Sequence, residues 1–218
     1  MDIFAVTSSI FLASFTILIF RIIYLLYTIY TTDCSLVNNG STSFRTILCI
    51  GSGGHTTELL RLSRSLNASK YQPRLYIVAS NDAGSEIKIH ESEKELNGRK
   101  NYSIRKIPRS RNVHQSYKSA VISTLYALYR TVPIIYSFKP NVVLCNGPGT
   151  CIPICVVAFL LRCLFLCNCR IVFVESVCRV RSLSLTGNFL QYFADIFVVQ
   201  WPQLRDVCFR AKYFGRLT

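Results

Sequence analysis

Ile47-Leu48-Cys49-Ile50-Gly51-Ser52-Gly53-Gly54-His55-Thr56-Thr57-Glu58 is the stretch on which the reading of this chain turns. An apolar run of β type enters a turn holding three glycines. Leu59, Leu60, Leu62 and Leu66 then mark one face of a helix. A strand, a glycine turn and a helix start make an anion site from backbone alone. The first N–H groups of the helix lack internal partners, and the helix dipole favours negative charge. His55 adds an ionisable ring at the same place. The turn is expected to face a phosphorylated ligand.

Two better-known phosphate loops are excluded. The GKS/T ending of a Walker A loop is absent. A dinucleotide fingerprint needs a third glycine where Thr56 stands and an acid about 20 residues on, and Leu75 to Ser80 holds none. A generic strand–helix turn stays open as an alternative, although one glycine usually suffices for that.

Downstream, strand-like runs alternate with helical patterns. Strands are expected at Thr46–Ile50, Leu75–Ala79, Ser103–Ile107, Val142–Cys145, Ile171–Glu175 and Ile196–Gln200. Helices fit Thr56–Leu66, Glu86–Leu96, Tyr117–Tyr136, Ile152–Leu166 and Ser184–Phe193. Such alternation implies a parallel sheet with right-handed crossovers, a single Rossmann-like α/β domain. Ligands of open α/β sheets sit at the carboxyl ends of the strands. Three of those ends carry informative residues: Gly51 to His55, Asn146-Gly147-Pro148-Gly149-Thr150, and Glu175-Ser176. A carboxylate closing a buried strand must be solvated in a cleft, paired or protonated. Glu175 therefore either bridges to Arg179 or Arg181, binds a sugar hydroxyl, or acts as a general base. His55 divides similarly among ligand-binding residue, base and plain helix-start residue. Glu58 reads as a first-turn acid favoured by the helix dipole.

Upstream, Ile3 to Phe20 holds no charge, and after Arg21 the apolar pattern resumes to Tyr30. About 20 apolar residues span a bilayer. With no basic n-region and no small-x-small cleavage site, residues 1–30 read as an uncleaved transmembrane signal-anchor. Polar residues 31–43 form a linker, and 44–218 the folded domain. Only Asp2 is charged before the span, whereas basic residues abound after it. The positive-inside rule then places the N-terminus in the lumen and the domain in the cytosol.

Lys and Arg number 25 against 11 for Asp and Glu, a formal net charge of +14. That excess suits an anionic membrane, phosphorylated ligands or nucleic acid. RNA binding is the weaker fit, because the aromatics sit in apolar runs rather than alternating as a stacking platform does. Arg99, Lys100, Arg105, Lys106, Arg109 and Arg111 form a basic cluster that either holds the domain against anionic lipid or only solvates a face. Ile152 to Leu166 is apolar enough to raise a second span. Pro153, Arg162 and its length favour a crossover helix resting an apolar face on the membrane. The ten cysteines include no CxxC pair, and five lie in one apolar run like small hydrophobes. No metal site is expected from that spacing.

The ordered motifs Gly51-Ser52-Gly53-Gly54-His55-Thr56, Leu144-Cys145-Asn146-Gly147-Pro148-Gly149-Thr150, Glu175-Ser176-Val177-Cys178-Arg179-Val180, Val199-Gln200-Trp201-Pro202 and Tyr213-Phe214-Gly215-Arg216-Leu217 form a recognisable set. With them the chain resembles the membrane-anchored subunit of the eukaryotic UDP-N-acetylglucosamine transferase of dolichol-linked oligosaccharide synthesis. More distantly it is similar to the acceptor half of the bacterial lipid II GlcNAc transferase. The Pro108-Arg109-Ser110-Arg111 segment is retained, while Ser80, Asn112, His114 and Asn188 depart from the family's more usual residues.

The resemblance implies the N-terminal half of a GT-B fold, with a small cytosolic donor-binding subunit supplying the other half. It implies transfer of GlcNAc from UDP-GlcNAc to GlcNAc-diphosphodolichol at the endoplasmic reticulum membrane, without metal or cofactor, in an enzyme assembled from subunits. His55 and Glu175 are then the catalytic candidates. Gly51, Ser52, Gly53, Gly54, Thr56, Arg109 and Asn146 to Thr150 bind substrate, and Tyr213, Phe214, Gly215, Arg216 and Leu217 bind the partner. The enzyme of the preceding GlcNAc-phosphate transfer is a further candidate partner. Two rivals remain at this level: a membrane-bound NAD(P)-dependent oxidoreductase, for which no YxxxK pair lies at a suitable site, and a non-catalytic membrane scaffold.

Overall fold

A computed structural model describes residues 3–32, 43–96, 101–111 and 115–218. Most of the 31–43 linker, Arg99 and Lys100 of the basic cluster, and Asn112 and His114 lie outside the described residues.

The strands form because β-branched and aliphatic runs become buried on both faces, as a parallel sheet covered by helices requires. β1 (Thr46–Cys49), β2 (Arg74–Ala79) and β4 (Val142–Asn146) are buried along their whole length. With β3 (Tyr102–Ile107), β5 (Arg170–Val174), β6 (Ile196–Val199) and β7 (Ala211–Tyr213) they make one seven-stranded parallel sheet in the order β3-β2-β1-β4-β5-β6-β7. Alternate residues feed opposite layers. Ile47, Cys49, Ile77, Val143, Cys145 and Phe173 face α4 (Tyr117–Phe138) and α5 (Cys151–Cys163). Leu48, Ile50, Tyr76, Val78 and Leu144 face α2 (Gly54–Arg64) and α3 (Ala83–Glu95).

The order decides where a ligand sits. From β1 the chain winds outward through β2 to β3, then returns to β4 and winds the other way. β1 and β4 are neighbours, Cys49 opposite Cys145, so the turns leaving them diverge and open a crevice at the topological switch point. The glycine turn and the Asn146–Thr150 turn flank it.

Side-chain caps set helix boundaries the apolar pattern did not mark. Asp82 accepts from Ser85 N at 3.1 Å, which starts α3 at Ala83 rather than Glu86. Lys139, left-handed at φ 46°, ends α4 two residues beyond Tyr136. Ser184 accepts from Gly187 N at 2.9 Å and starts α6 (Leu185–Leu190), which ends before Phe193. β7 is not among the strands expected from the sequence. It is a three-residue edge strand, too short to show a period, and it ends on Tyr213, the first residue of the expected C-terminal segment.

α5 is a crossover helix of 13 residues, shorter than a span. Ile154, Cys155, Ala158 and Leu161 are buried, and Leu160, Leu164, Phe165 and Leu166 are exposed toward its end. Arg162, which argued against a span, is buried and donates at 2.9 Å to both carboxylate oxygens of Asp195. α1 (Ile3–Thr31) runs unbroken through Arg21. Among the described residues it alone is long and apolar enough to cross a membrane. Its end is docked: Leu25 and Ile29 are buried, Arg210 Nη2 donates to Ile29 O at 2.8 Å, and Tyr30 stacks on Phe209 at 5.7 Å.

Candidate active site

The turn after β1 is built around His55. Gly53 adopts φ 63° and caps α2, so His55 is the helix's second residue. Thr56 is fully buried and donates through Oγ1 to Gly51 O at 2.8 Å, locking the turn. From the far side of the crevice the β4 turn closes against the imidazole. Gly147 has φ 62°, and a Cβ there would stand 2.7 Å from His55 Cε1. Gly51 is equally constrained, since its Cβ would meet Pro148 Cγ at 2.7 Å and His55 Cβ at 2.8 Å. The ring is thus held between two glycines whose missing side chains make room for it.

Around this ring lies a cavity of about 750 Å³. Gly51, Ser52, His55, Arg109, Gly147, Pro148, Gly149 and Thr150 line it, so eight of the candidate residues come together. Arg109 Nη2 donates to Ser52 Oγ at 2.9 Å and brings its charge to the glycine turn. Arg111 and Arg179 also line the cavity, and among the described residues no carboxylate does. The turns that lead into α2 and α5 both contribute to the lining. A cluster of arginines at this turn is a place for an anion. Beside these cations the lining is apolar, with Val121 and Leu125 of α4, Ile152 of α5 and Leu185 of α6. The α4 residues stand at the i, i+4 spacing of a helix face. That face was legible in the sequence as apolar, but not as a cavity wall.

Other candidates lie elsewhere. Gly53 and Gly54 are exposed at the helix start, and neither they nor Thr56 line the cavity. Asn146 is 1 % exposed beneath His55. Glu175 stands one residue past β5, fully buried, off the cavity lining. It accepts from Ser176 N at 3.0 Å, Ser184 N at 2.9 Å and Ser184 Oγ at 3.0 Å. Burial pushes its carboxyl up from the ordinary carboxylate range, opposed by those hydrogen bonds and the charge of Arg179. Neither Arg179 nor Arg181 bridges to it among the described residues.

Glu58 is not a first-turn acid. It lies a turn further into α2, buried, with Oε2 accepting from Asn146 Nδ2 at 3.0 Å and Oε1 from Ser176 Oγ at 2.9 Å. Sequence spacing gave no sign of that contact across 118 positions.

The C-terminal residues are remote from the cavity lining. Arg216 stacks over Trp201 at 4.8 Å, Leu217 N donates to Gln200 Oε1 at 3.0 Å, and Phe214 is exposed. The core also gathers sulfurs that no spacing motif revealed. Cys145 Sγ lies 3.2 Å from Cys49 Sγ and 3.1 Å from Cys155 Sγ, with Cys151 beside them, directly under the two glycine turns.

Fold and site together define a Rossmann-like domain of the kind that makes one half of a two-domain GT-B glycosyltransferase, carrying an anion cleft at its switch point. Residues 46–217 match the model of a family described as "Oligosaccharide biosynthesis protein Alg14 like", and the chain belongs to that family. A mouse protein called UDP-N-acetylglucosamine transferase subunit ALG14 is 46 % identical over 183 residues, covering 80 % of this chain and 83 % of its own. Its namesake from the yeast Yarrowia lipolytica is 43 % identical over 173 residues, covering 78 % and 80 %. Among solved structures, Acinetobacter baumannii MurG superimposes with a TM-score of 0.56 at 15 % identity over 79 % of this chain. A Rickettsia bellii UDP-N-acetylglucosamine 2-epimerase gives 0.54 at 11 % over 80 %. This chain spans only 45 % of each of those solved chains; these two likenesses establish the fold alone.

Proposed function

We propose that this chain is the membrane-anchoring, acceptor-binding subunit of a UDP-GlcNAc transferase, acting with a small cytosolic subunit that binds the donor. Its acceptor is GlcNAc-diphosphodolichol, extended at the 4-hydroxyl by a β1,4 bond with inversion. The name borne by the relatives supports a transferase assembled from subunits. The observation that carries the acceptor assignment is the cavity's mixed lining of arginines and apolar side chains. Arg109, Arg111 and Arg179 suit a diphosphate, and the Val121–Leu125 face suits the first apolar units of the lipid behind it.

His55 is the proposed base. Its ring lines the cavity, and Nε2 has no hydrogen-bond partner among the described residues. It takes the proton of the acceptor hydroxyl as the oxygen attacks the anomeric carbon, while the bond from that carbon to UDP breaks and UDP leaves with the electron pair. The arginines hold the acceptor's own charge in place, an orienting role. Glu175, buried with both oxygens engaged, serves to fix the start of α6. In this reading the N-terminus lies in the lumen of the endoplasmic reticulum and the domain in the cytosol, with residues 1–30 spanning and 44–218 forming the domain, which the excess of basic residues after the span supports. The enzyme of the preceding GlcNAc-phosphate transfer is a candidate neighbour in the membrane, and the segment from Tyr213 to Leu217 is the proposed contact for the cytosolic subunit.

The test is the full chain purified with that cytosolic subunit in lipid vesicles, assayed with radiolabelled UDP-GlcNAc and a diphosphate-lipid acceptor. Transfer that needs both chains is expected. No transfer by the assembled pair overturns the reading. Full activity of the cytosolic subunit alone on a water-soluble acceptor would reduce this chain to a scaffold.

A further inference from the structure

His55 Nδ1 lies 3.1 Å from Asn146 Oδ1, and an amide turned the other way round would give that contact the opposite meaning. The rest of the network settles the orientation. Asn146 Nδ2 faces Glu58 Oε2 at 3.0 Å and Val174 O at 3.3 Å, a carboxylate and a backbone carbonyl. Both are acceptors, so the side facing them must be the NH2 group. The oxygen then faces His55, and an oxygen can pair only with an Nδ1 that carries hydrogen. Glu58 is fixed in turn. Its other oxygen accepts the Ser176 hydroxyl at 2.9 Å, and Ser176 Oγ itself accepts from Cys178 N at 3.3 Å. Every donor in the chain has one direction available.

We infer that Asn146, held by Glu58, is a positioning residue that fixes His55 as the Nδ1–H tautomer and leaves the Nε2 lone pair open to the cavity. Gly147 leaves the ring the space it needs for this contact, since a Cβ there would stand 3.0 Å from Nδ1. The opposite tautomer would put a hydrogen on Nε2, unable to accept a proton from a hydroxyl, and would set the Nδ1 lone pair against Oδ1. Asn146 reaches the acceptor only through the imidazole, because it is 1 % exposed. It was among the substrate-binding candidates of the sequence, and its role here is different. This inference rests on the proposal of His55 as base for its catalytic meaning, but the tautomer is measurable without turnover.

The chain has three histidines, so 15N-imidazole labelling of the full chain in complex with its cytosolic subunit, in lipid nanodiscs, gives a readable spectrum. The His55 signals are those lost in His55→Ala. The wild type is expected to show a protonated Nδ1 and a pyridine-like Nε2. Asn146→Ala is expected to lose that signature and to lower kcat about 10- to 100-fold, part of what a positioned base contributes, with KM for UDP-GlcNAc unchanged. The His90 signals of Asn146→Ala, whose Nδ1 pairs with Tyr102 OH at 2.8 Å far from this network, are expected to stay at their wild-type positions, which guards against misfolding as the cause. A wild-type His55 protonated at Nε2, or an Asn146→Ala protein with signature and kcat both unchanged, overturns the inference. Normal kcat in His55→Ala would instead overturn the base assignment and with it the catalytic role of Asn146, leaving the spectrum to decide the tautomer alone.

Discussion

Two buried carboxylates stand near the carboxyl ends of this sheet, and their hydrogen bonds end in different places. Around Glu175 the bonds return to the β5–α6 corner through Ser176 N, Ser184 N and Ser184 Oγ, and although Ser184 lines the cavity, its hydroxyl is taken up by Glu175 and by Gly187 N. Around Glu58 the bonds run outward through Asn146 to a ring that lines an open cavity. Burial alone does not separate the two, as both are largely or wholly shielded. The separation lies in whether the polar chain ends on an atom left open to a substrate, as at His55 Nε2, or on a hydroxyl already engaged as donor and acceptor, as at Ser184. On this ground the Glu175 corner is a structural joint and the Glu58 network is part of the site, and each assignment can be broken.

The largest effect is expected at the outer end of the open network. In the assembled complex, His55→Ala should lower kcat by about 10²- to 10⁴-fold, the usual contribution of a positioned base, with the thermal unfolding midpoint nearly unchanged because the ring is only half-buried. Steady-state transfer kinetics beside a melting curve check both halves. Turnover within a few-fold of wild type would leave the cavity without its base.

Glu175→Ala is the converse experiment. It strands Ser184 N and Ser176 N, and a buried donor left unpaired costs about 1–3 kcal/mol. Denaturant unfolding should record that loss, while activity per folded molecule stays within several-fold. A folded variant with abolished turnover would restore Glu175 to the catalytic role the sequence suggested and erase the contrast between the two corners.

Gly147→Ala tests the support between the networks. A non-glycine residue at φ 62° costs about 1–3 kcal/mol, and the added Cβ would enter the imidazole's space. Both stability and kcat should fall, kcat by roughly the tenfold that 1.4 kcal/mol of barrier represents. A loss of stability with kcat intact would show that the ring can shift without consequence.

These contrasts mark how far the sequence could be read. Alternation of apolar runs with helical patterns is a local signal, so the six longer strands and their helices were legible, and so were the glycine turns, because three glycines beside a histidine exceed what a plain turn requires. The edge strand Ala211–Tyr213 was not, since three residues carry no period. Nor was the division of labour between Glu175 and Glu58. A strand-end carboxylate looks catalytic and a carboxylate early in a helix looks like a dipole partner. Their real surroundings are set by Ser184, nine residues from Glu175, and by Asn146 and Ser176, 88 and 118 residues from Glu58. Likewise the apolar cavity wall is a face of α4 that packing alone distinguishes from core. Long-range pairing decides such roles, and spacing along the chain does not record it.

The smallest expected effect concerns the pH dependence of the closed corner. Burial raises the Glu175 carboxyl above its ordinary range, so the folded state holds a proton that the unfolded chain has already released. The stabilising contribution is present below the ordinary carboxylate pKa and is lost as pH rises through the raised folded value, with a slope that for one proton cannot exceed about 1.4 kcal/mol per pH unit. Glu175→Gln cannot ionise, and its amide still accepts from Ser184 N or Ser176 N. Denaturant unfolding at a series of pH values should therefore show the wild type losing stability across that window relative to the glutamine variant, with transfer activity at neutral pH little altered. Parallel stability curves for the two proteins would mean that the three hydrogen bonds fully offset the burial, leaving the corner able to hold its charge as easily as water does. In that case the closed network would be as well satisfied as the open one, and only the open Nε2 of His55 would distinguish them.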